Sequence, residues 1–264
     1  MKPRTKVTIE DVRDSLDTSV PTHISVRLFA RPVSNLITPF FHNTGWTANG
    51  VTVARIPLAI AGVSLLAIPN PQYWMFSAVI FYVCYVLDCV DGNLARIQND
   101  ASYLGKFLDG ISDAIYGIFV GFSMGIGLWL YLGETTALFI GAFATIASIV
   151  NHYLRSRLSF FAGWMVSLTG PLTEAELSAA RRPRAIQEKC SGVSVNSFFF
   201  VFLALFVPHW GGLIFLSLLV VTRLIPDIIW IYTTFAESNA LLRRPRISRH
   251  SRIKPDDDAA PLAK

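Results

Sequence analysis

DCVDGNLARIQNDASYLGKFLDGISD, residues 88–113, sets Asp88 and Asp91 three apart and Asp109 and Asp113 four apart, between apolar segments of membrane length. An ionisable side chain inside a bilayer costs about 2.5–3.5 kcal/mol even on the lowest scales, so such residues mark function by default. The four carboxylates have no equal number of basic neighbours. A cationic partner has to neutralise them, and a pair of divalent metal ions suits a set of carboxylate oxygens. Spacing also sets direction. At about 100° per residue, Asp88, Asp91, Gly92 and Ala95 share one face of a helix, and Gly105, Asp109 and Asp113 share one face of the next. With spans entering at Tyr73 and leaving at Tyr131, a rise of about 1.5 Å per residue puts the acids about 22–33 Å from the outer face, near the inner boundary of the core. Two antiparallel helices thus present a four-carboxylate bowl that opens toward the inner headgroup layer.

Outward from this stretch the chain is apolar. Of its 264 residues 52% are hydrophobic and only 16% charged, against about 25% charged in ordinary soluble domains. This is the composition of an all-α integral membrane protein. Apolar runs start near Val51, Tyr73, Phe107, Thr136, Val195 and Gly211, and a helix needs about 20 residues to cross the hydrocarbon core. Six transmembrane helices are expected, the fifth reaching full length only with its Ser191 and Trp210 flanks. All of the 23 Lys and Arg except Arg55 and Arg223 then fall on one side. The positive-inside rule puts that side, with both termini and the bowl, in the cytoplasm of a cell whose inner membrane the protein crosses repeatedly. The net charge of +5 is therefore topological and implies no nucleic-acid partner.

The flanks divide accordingly. Residues 1–22 read as a cytoplasmic tail, with no cleavable signal peptide expected. Residues 23–47 read as an interfacial juxtamembrane helix, because Val26, Leu28, Phe29, Val33, Leu36, Ile37 and Phe40 interleave with Arg27 and Arg31. Pro32 and Pro39 leave an irregular tether as the alternative. The six-helix domain spans 48–236, and 237–264 is a basic tail expected to be disordered. Cys84, Cys89 and Cys190 are an odd number on or near the cytoplasmic side, so no disulfide framework is expected.

A carboxylate bowl of this kind suits two hard cations with coordination positions left for substrate phosphates. Gly92 and Gly105 remove side chains where a phosphate ester would approach, and Arg96 can meet phosphate charge. Asp88, Asp91, Gly92, Ala95, Arg96, Gly105, Asp109 and Asp113 match, with every spacing intact, the pattern D(x2)DG(x2)AR(x8)G(x3)D(x3)D. In this the chain resembles the CDP-alcohol phosphotransferases, also called CDP-alcohol phosphatidyltransferases. Upstream, RPVSNLITPFFHNTGWTANGVT, residues 31–52, resembles that family's juxtamembrane helix and its Pro-Asn-x-x-Thr element, with Ala48 where proline is usual.

The resemblance implies roles by position. Asp88, Asp91 and Asp109 would bind one or both of two divalent cations, Mg2+ or Mn2+. Asp113 would add a ligand and serve as the general base. Asn49, Thr52, Gly92, Arg96 and Ser102 look like contacts to the CDP moiety. The implied reaction moves a phosphatidyl group from CDP-diacylglycerol, or another group from a CDP-alcohol, to a small alcohol acceptor with release of CMP. Homodimers are common in that family. After the fourth run, NHYLRSRLSFF (residues 151–161) resembles the segment of members that use a phosphorylated polyol, such as glycerol phosphate or inositol phosphate. Arg155 and Arg157 would hold that phosphate, unless they are only positive-inside anchors. Arg223, four residues before Asp227, would be a further phosphate ligand or part of a self-satisfied pair. Other readings stay open: transfer of a phospho-alcohol head group from a CDP-alcohol to diacylglycerol, an intramembrane prenyltransferase, a cation transporter, or acids that merely pair with Arg55, Arg96 or Lys106.

Overall fold

The computed structural model describes residues 6–16, 26–178 and 225–242. Among them the regular elements are all helical: α1 (Ile9–Asp14), a π-helical turn (Val26–Ala30), α2 (Arg31–Asn43), α3 (Ala48–Leu66), α4 (Pro71–Ile97), α5 (Tyr103–Leu132), α6 (Thr135–Thr169) and α7 (Ile225–Leu241). Four of these, α3 to α6, are long and apolar enough to cross a membrane. The apolar run from Val195 lies outside the described residues, and of the run from Gly211 only the part within α7 is described.

The long helices start earlier than the apolar runs because capping decides where they begin. Thr47 accepts from the Gly50 amide at 3.1 Å. Asn70 accepts from Gln72 with Pro71 in the first turn, and Ser102 accepts from Gly105 at 3.1 Å. Each cap satisfies an amide that the helix itself cannot. Gly133 ends α5 at φ 75°, the left-handed conformation that glycine adopts without strain. With its 35 residues, α6 is about 52 Å long, well beyond the about 30 Å of a hydrocarbon core.

Two apolar clusters hold the bundle. Val63, Leu66, Trp74, Phe81, Val120, Met124, Leu128, Ala137 and Ala144 form the larger. Ala48, Val51, Val86, Val90 and Leu94 form the second, at the motif end. Between α5 and α6 the backbones touch: a Cβ on Gly141 would lie 2.6 Å from the Gly121 carbonyl oxygen and 2.7 Å from the Gly125 Cα. Small residues permit such approaches between membrane helices. Gly141→Ala is therefore expected to destabilise the protein by about 1–3 kcal/mol, the usual cost of overpacking. A melting curve in detergent checks this, with Gly163→Ala as the control because nothing lies within 4 Å of its Cβ position.

Where it is described, the N-terminal segment is helical. Within residues 1–22, α1 is closed by a Thr8–Asp11 capping box and buries Val12. The Val7 backbone exchanges two hydrogen bonds with the Asn43 side chain at 3.1 and 3.2 Å. In α2 the prolines do not break the helix: Pro32 lies in the first turn, where its missing amide costs nothing, and Pro39 is carried inside. This helix is polar inward and apolar outward. Ser34, Asn35, Thr38 and His42 are buried, whereas Val33, Leu36 and Phe40, with Leu28 and Phe29 of the preceding π-helical turn, are exposed.

Candidate active site

At the motif end of the bundle, α3, α4 and α5 converge on Arg55. This side chain is 2% exposed, and its Nε donates to Ser112 Oγ at 3.0 Å. One end of its guanidinium donates to Asp88, with Asp91 3.9 Å away. The other donates to Asp109 at 2.6 Å and Asp113 at 3.3 Å. The four acids are thus gathered as their spacing predicts, around a cation from a third helix. Sequence reading named Arg55 only as one candidate partner of the acids, beside Arg96 and Lys106, and did not single it out. A signal existed, since an arginine within an apolar span has to face polar partners, and Arg55 lies one turn beyond Thr52.

The ion pairs to Arg55 do not balance the site. One guanidinium against four carboxylates leaves a formal excess of three negative charges. Asp88, Asp91 and Asp109 each offer an oxygen, all within 4.8 Å of one another. Such a set can converge on one hard cation, whose oxygen ligands lie at about 2.0–2.6 Å. Donor chemistry and excess charge both fit a divalent metal ion. Exposure then separates the acids, because the side chains of Asp88, Asp91, Asp109 and Asp113 are 40, 12, 42 and 64% exposed. Asp91 lies deepest and accepts a hydrogen bond from Thr52 Oγ1 at 2.7 Å. Asp113 stands outside the close trio and is the most open.

The acids lie beside a cavity of about 490 Å³ whose lining includes Asn49, Thr52, Asp91, Gly92, Ser102, Gly105, Lys106 and Asp109. That volume is within the range of small-molecule sites, about 300–1,000 Å³. Its wall is tight at Gly105, where a Cβ would lie 2.6 Å from Asn49 Oδ1. Asn49 Nδ2 in turn reaches Ser102 Oγ at 3.5 Å, which links the start of α3 to the cap of α5. Arg96 lies against Gly92, its Nη1 3.7 Å from where a Cβ would be. Its Nη2 donates to Asn93 Oδ1 at 2.7 Å, and sequence reading did not single out Asn93.

Of the candidate acceptor arginines, Arg155 and Arg157 do not line this cavity and stack on different partners. Arg155 stacks on Trp230 of α7, 4.3 Å from the ring centroid. With Ser159, Thr234 and Glu237 it lines a second cavity of about 360 Å³. Arg157 lies over Phe161 at 4.9 Å and Tyr153 at 5.9 Å, both on its own helix. Asp227 is buried and accepts hydrogen bonds from Ser148 and Asn151 of α6. Arg223 lies outside the described residues.

Comparison with known proteins follows the same lines. The family model for CDP-alcohol phosphatidyltransferase matches residues 46–224. Among solved structures, the phosphatidylinositol phosphate synthase of Mycobacterium tuberculosis with CDP-DAG bound is 19% identical, with a TM-score of 0.50, covering 83% of this chain and 100% of that one. The apo form of the same synthase is 18% identical, with a TM-score of 0.49, covering 79% and 99%. Identity at this level speaks for a shared fold. Among curated proteins none matches the chain significantly.

Proposed function

The chain belongs to the CDP-alcohol phosphatidyltransferase family, and from that premise we propose that it transfers a phosphatidyl group from CDP-diacylglycerol to a small phosphorylated alcohol, releasing CMP. One observation carries this reading: a carboxylate bowl with excess negative charge beside a cavity lined by small and polar residues. Asp88, Asp91 and Asp109 would hold one or both of two Mg2+ or Mn2+ ions, with Asp113 adding a ligand. When bound there, the ions neutralise the pyrophosphate and the departing CMP. Asn49, Thr52, Gly92, Arg96 and Ser102 seat the CDP moiety, the glycine by leaving room and Arg96 by charge-assisted hydrogen bonds to phosphate oxygens. Asp113 takes the proton from the acceptor hydroxyl at a carboxylate oxygen. The acceptor oxygen bonds to the phosphorus that carries the diacylglycerol, and the bond from that phosphorus to the bridging oxygen breaks, so that oxygen leaves with CMP.

The acceptor phosphate is assigned to Arg155, since its side chain lines a concave site with Ser159 and Thr234. Arg157, stacked along its own helix, suits a membrane-side anchor. Arg223 keeps the role that its place in the sequence implies, as a further phosphate ligand. The protein has six spans with both termini and the bowl cytoplasmic, and α2 rests its outward apolar face in the inner leaflet.

The test is CMP release by the purified protein in lipid with CDP-diacylglycerol, Mg2+ or Mn2+, and glycerol 3-phosphate, inositol 1-phosphate, inositol or serine supplied singly. Release with one phosphorylated acceptor alone is the expected result. Silence with all of them, together with no metal-dependent binding of CDP-diacylglycerol, sinks this reading and points to a CDP-choline-like donor with diacylglycerol.

A further inference from the structure

We infer that Asn93 is a positioning residue that ties Arg96 to α2, so that docking of the N-terminal helix sets the affinity for the nucleotide-lipid donor. Asn93 occupies a position between Gly92 and Ala95 that the motif leaves open to any residue. It is 2% exposed, and its side chain is fully engaged. Nδ2 donates to Thr38 Oγ1 at 3.1 Å and to Asn35 Oδ1 at 3.3 Å, while Oδ1 accepts from Arg96 Nη2 at 2.7 Å.

The polarity of this chain of hydrogen bonds is determined from the α2 end. Thr38 Oγ1 donates its single proton to the Ser34 carbonyl at 2.6 Å, so toward Asn93 it can only accept. Asn93 therefore presents its NH2 group to α2 and its oxygen to Arg96, which has only donors to offer. Both Thr38 and Asn35 are buried. Burying polar groups at a helix contact is costly unless they are satisfied, and here each is satisfied by the next. An otherwise exposed arginine is thereby held over Gly92, which lines the cavity, with its guanidinium beside the place a phosphate would take.

This inference rests on the reading of Arg96 as a contact to the CDP moiety, and the experiment separates the two. Donor and acceptor KM and kcat are measured for the full chain in lipid, for Asn93→Leu, Asn93→Asp, Thr38→Val and Arg96→Ala, and for Asn93→Leu combined with Arg96→Ala. Asn93→Leu is expected to raise the donor KM about tenfold, the worth of one charge-assisted hydrogen bond, and to leave kcat and the acceptor KM within about twofold. Asn93→Asp still offers Arg96 an acceptor but gives Thr38 and Asn35 no donor, so it cuts only the tie to α2: a raised donor KM is expected, and a wild-type donor KM overturns the role of α2. On the Arg96→Ala background Asn93→Leu adds no further effect, as expected of two residues acting as one unit. Equal rises in donor and acceptor KM, or an undiminished effect on the Arg96→Ala background, overturn the inference. An unchanged donor KM in Arg96→Ala overturns the reading of Arg96 itself. If Asn93→Leu does not fold, Thr38→Val carries the same test, and an unchanged donor KM there overturns the role of α2.

Discussion

Asp113→Asn is expected to lower CMP release by about 10²–10⁴-fold, the range that a positioned general base contributes, while metal-dependent binding of CDP-diacylglycerol persists. The expectation comes from position. Asp113 has the most exposed side chain of the four acids at 64% and lies outside the trio whose oxygens converge within 4.8 Å. An acid in that place can meet an incoming hydroxyl without leaving the site. Asparagine keeps the size of the side chain and an oxygen facing Arg55, now 3.3 Å away, but it cannot take up a proton. Single-turnover CMP release and equilibrium binding of the donor, measured on the same preparation, check the split. Wild-type turnover in Asp113→Asn would remove the base from this residue.

Asp91→Asn is expected to cost more in metal affinity than the about 10–100-fold typical of losing an outer-shell partner. Asp91 is the deepest of the acids, with a side chain 12% exposed, and is held by Thr52 at 2.7 Å. The substitution can keep that hydrogen bond, because an amide oxygen also accepts from a hydroxyl. What it removes is one negative charge from a site with a formal excess of three. Without divalent metal the variant should therefore melt no lower than the wild type, since repulsion among like charges is reduced. With Mn2+ present, the rise in melting temperature that the wild type gains from binding should be lost. Titration of Mn2+ by electron paramagnetic resonance checks the affinity directly. Equal Mn2+ affinity in variant and wild type would take Asp91 out of the metal set.

How much of this was legible in the chain depends on the range of the physics involved. The helical class and the family were readable because both are written locally, in apolar runs of membrane length and in acids spaced at one helical turn. Helix starts were less so. The runs begin at Val51 and Phe107, yet the helices begin at Ala48 and Tyr103, because Thr47 and Ser102 cap the backbone while hydrophobicity marks only the apolar length. In α2 the reading followed the apolar and basic residues and passed over Ser34, Asn35 and Thr38, which the structure buries against α4. A helix with an apolar outer face hides this pattern, since the usual rule of polar-out holds only where the solvent is water. Arg155 and Arg157 were equivalent as neighbours in sequence. The structure separates them, one against Trp230 beside a cavity and the other along its own helix.

The sequence by itself determined what depends on neighbours a few residues away: long apolar helices, and the shared face of Asp88 with Asp91 and of Asp109 with Asp113. Only the tertiary structure decided which side chains meet across helices. Arg55 reaches Asp88, Asp109 and Asp113 over 33, 54 and 58 residues of chain, and Asn93 reaches Asn35 over 58. Those encounters depend on how far each helix is rotated and where it crosses its neighbour, and these are set by close packing, such as the backbone contact between Gly125 and Gly141. Local periodicity says which face a residue is on, but packing decides what that face is turned toward.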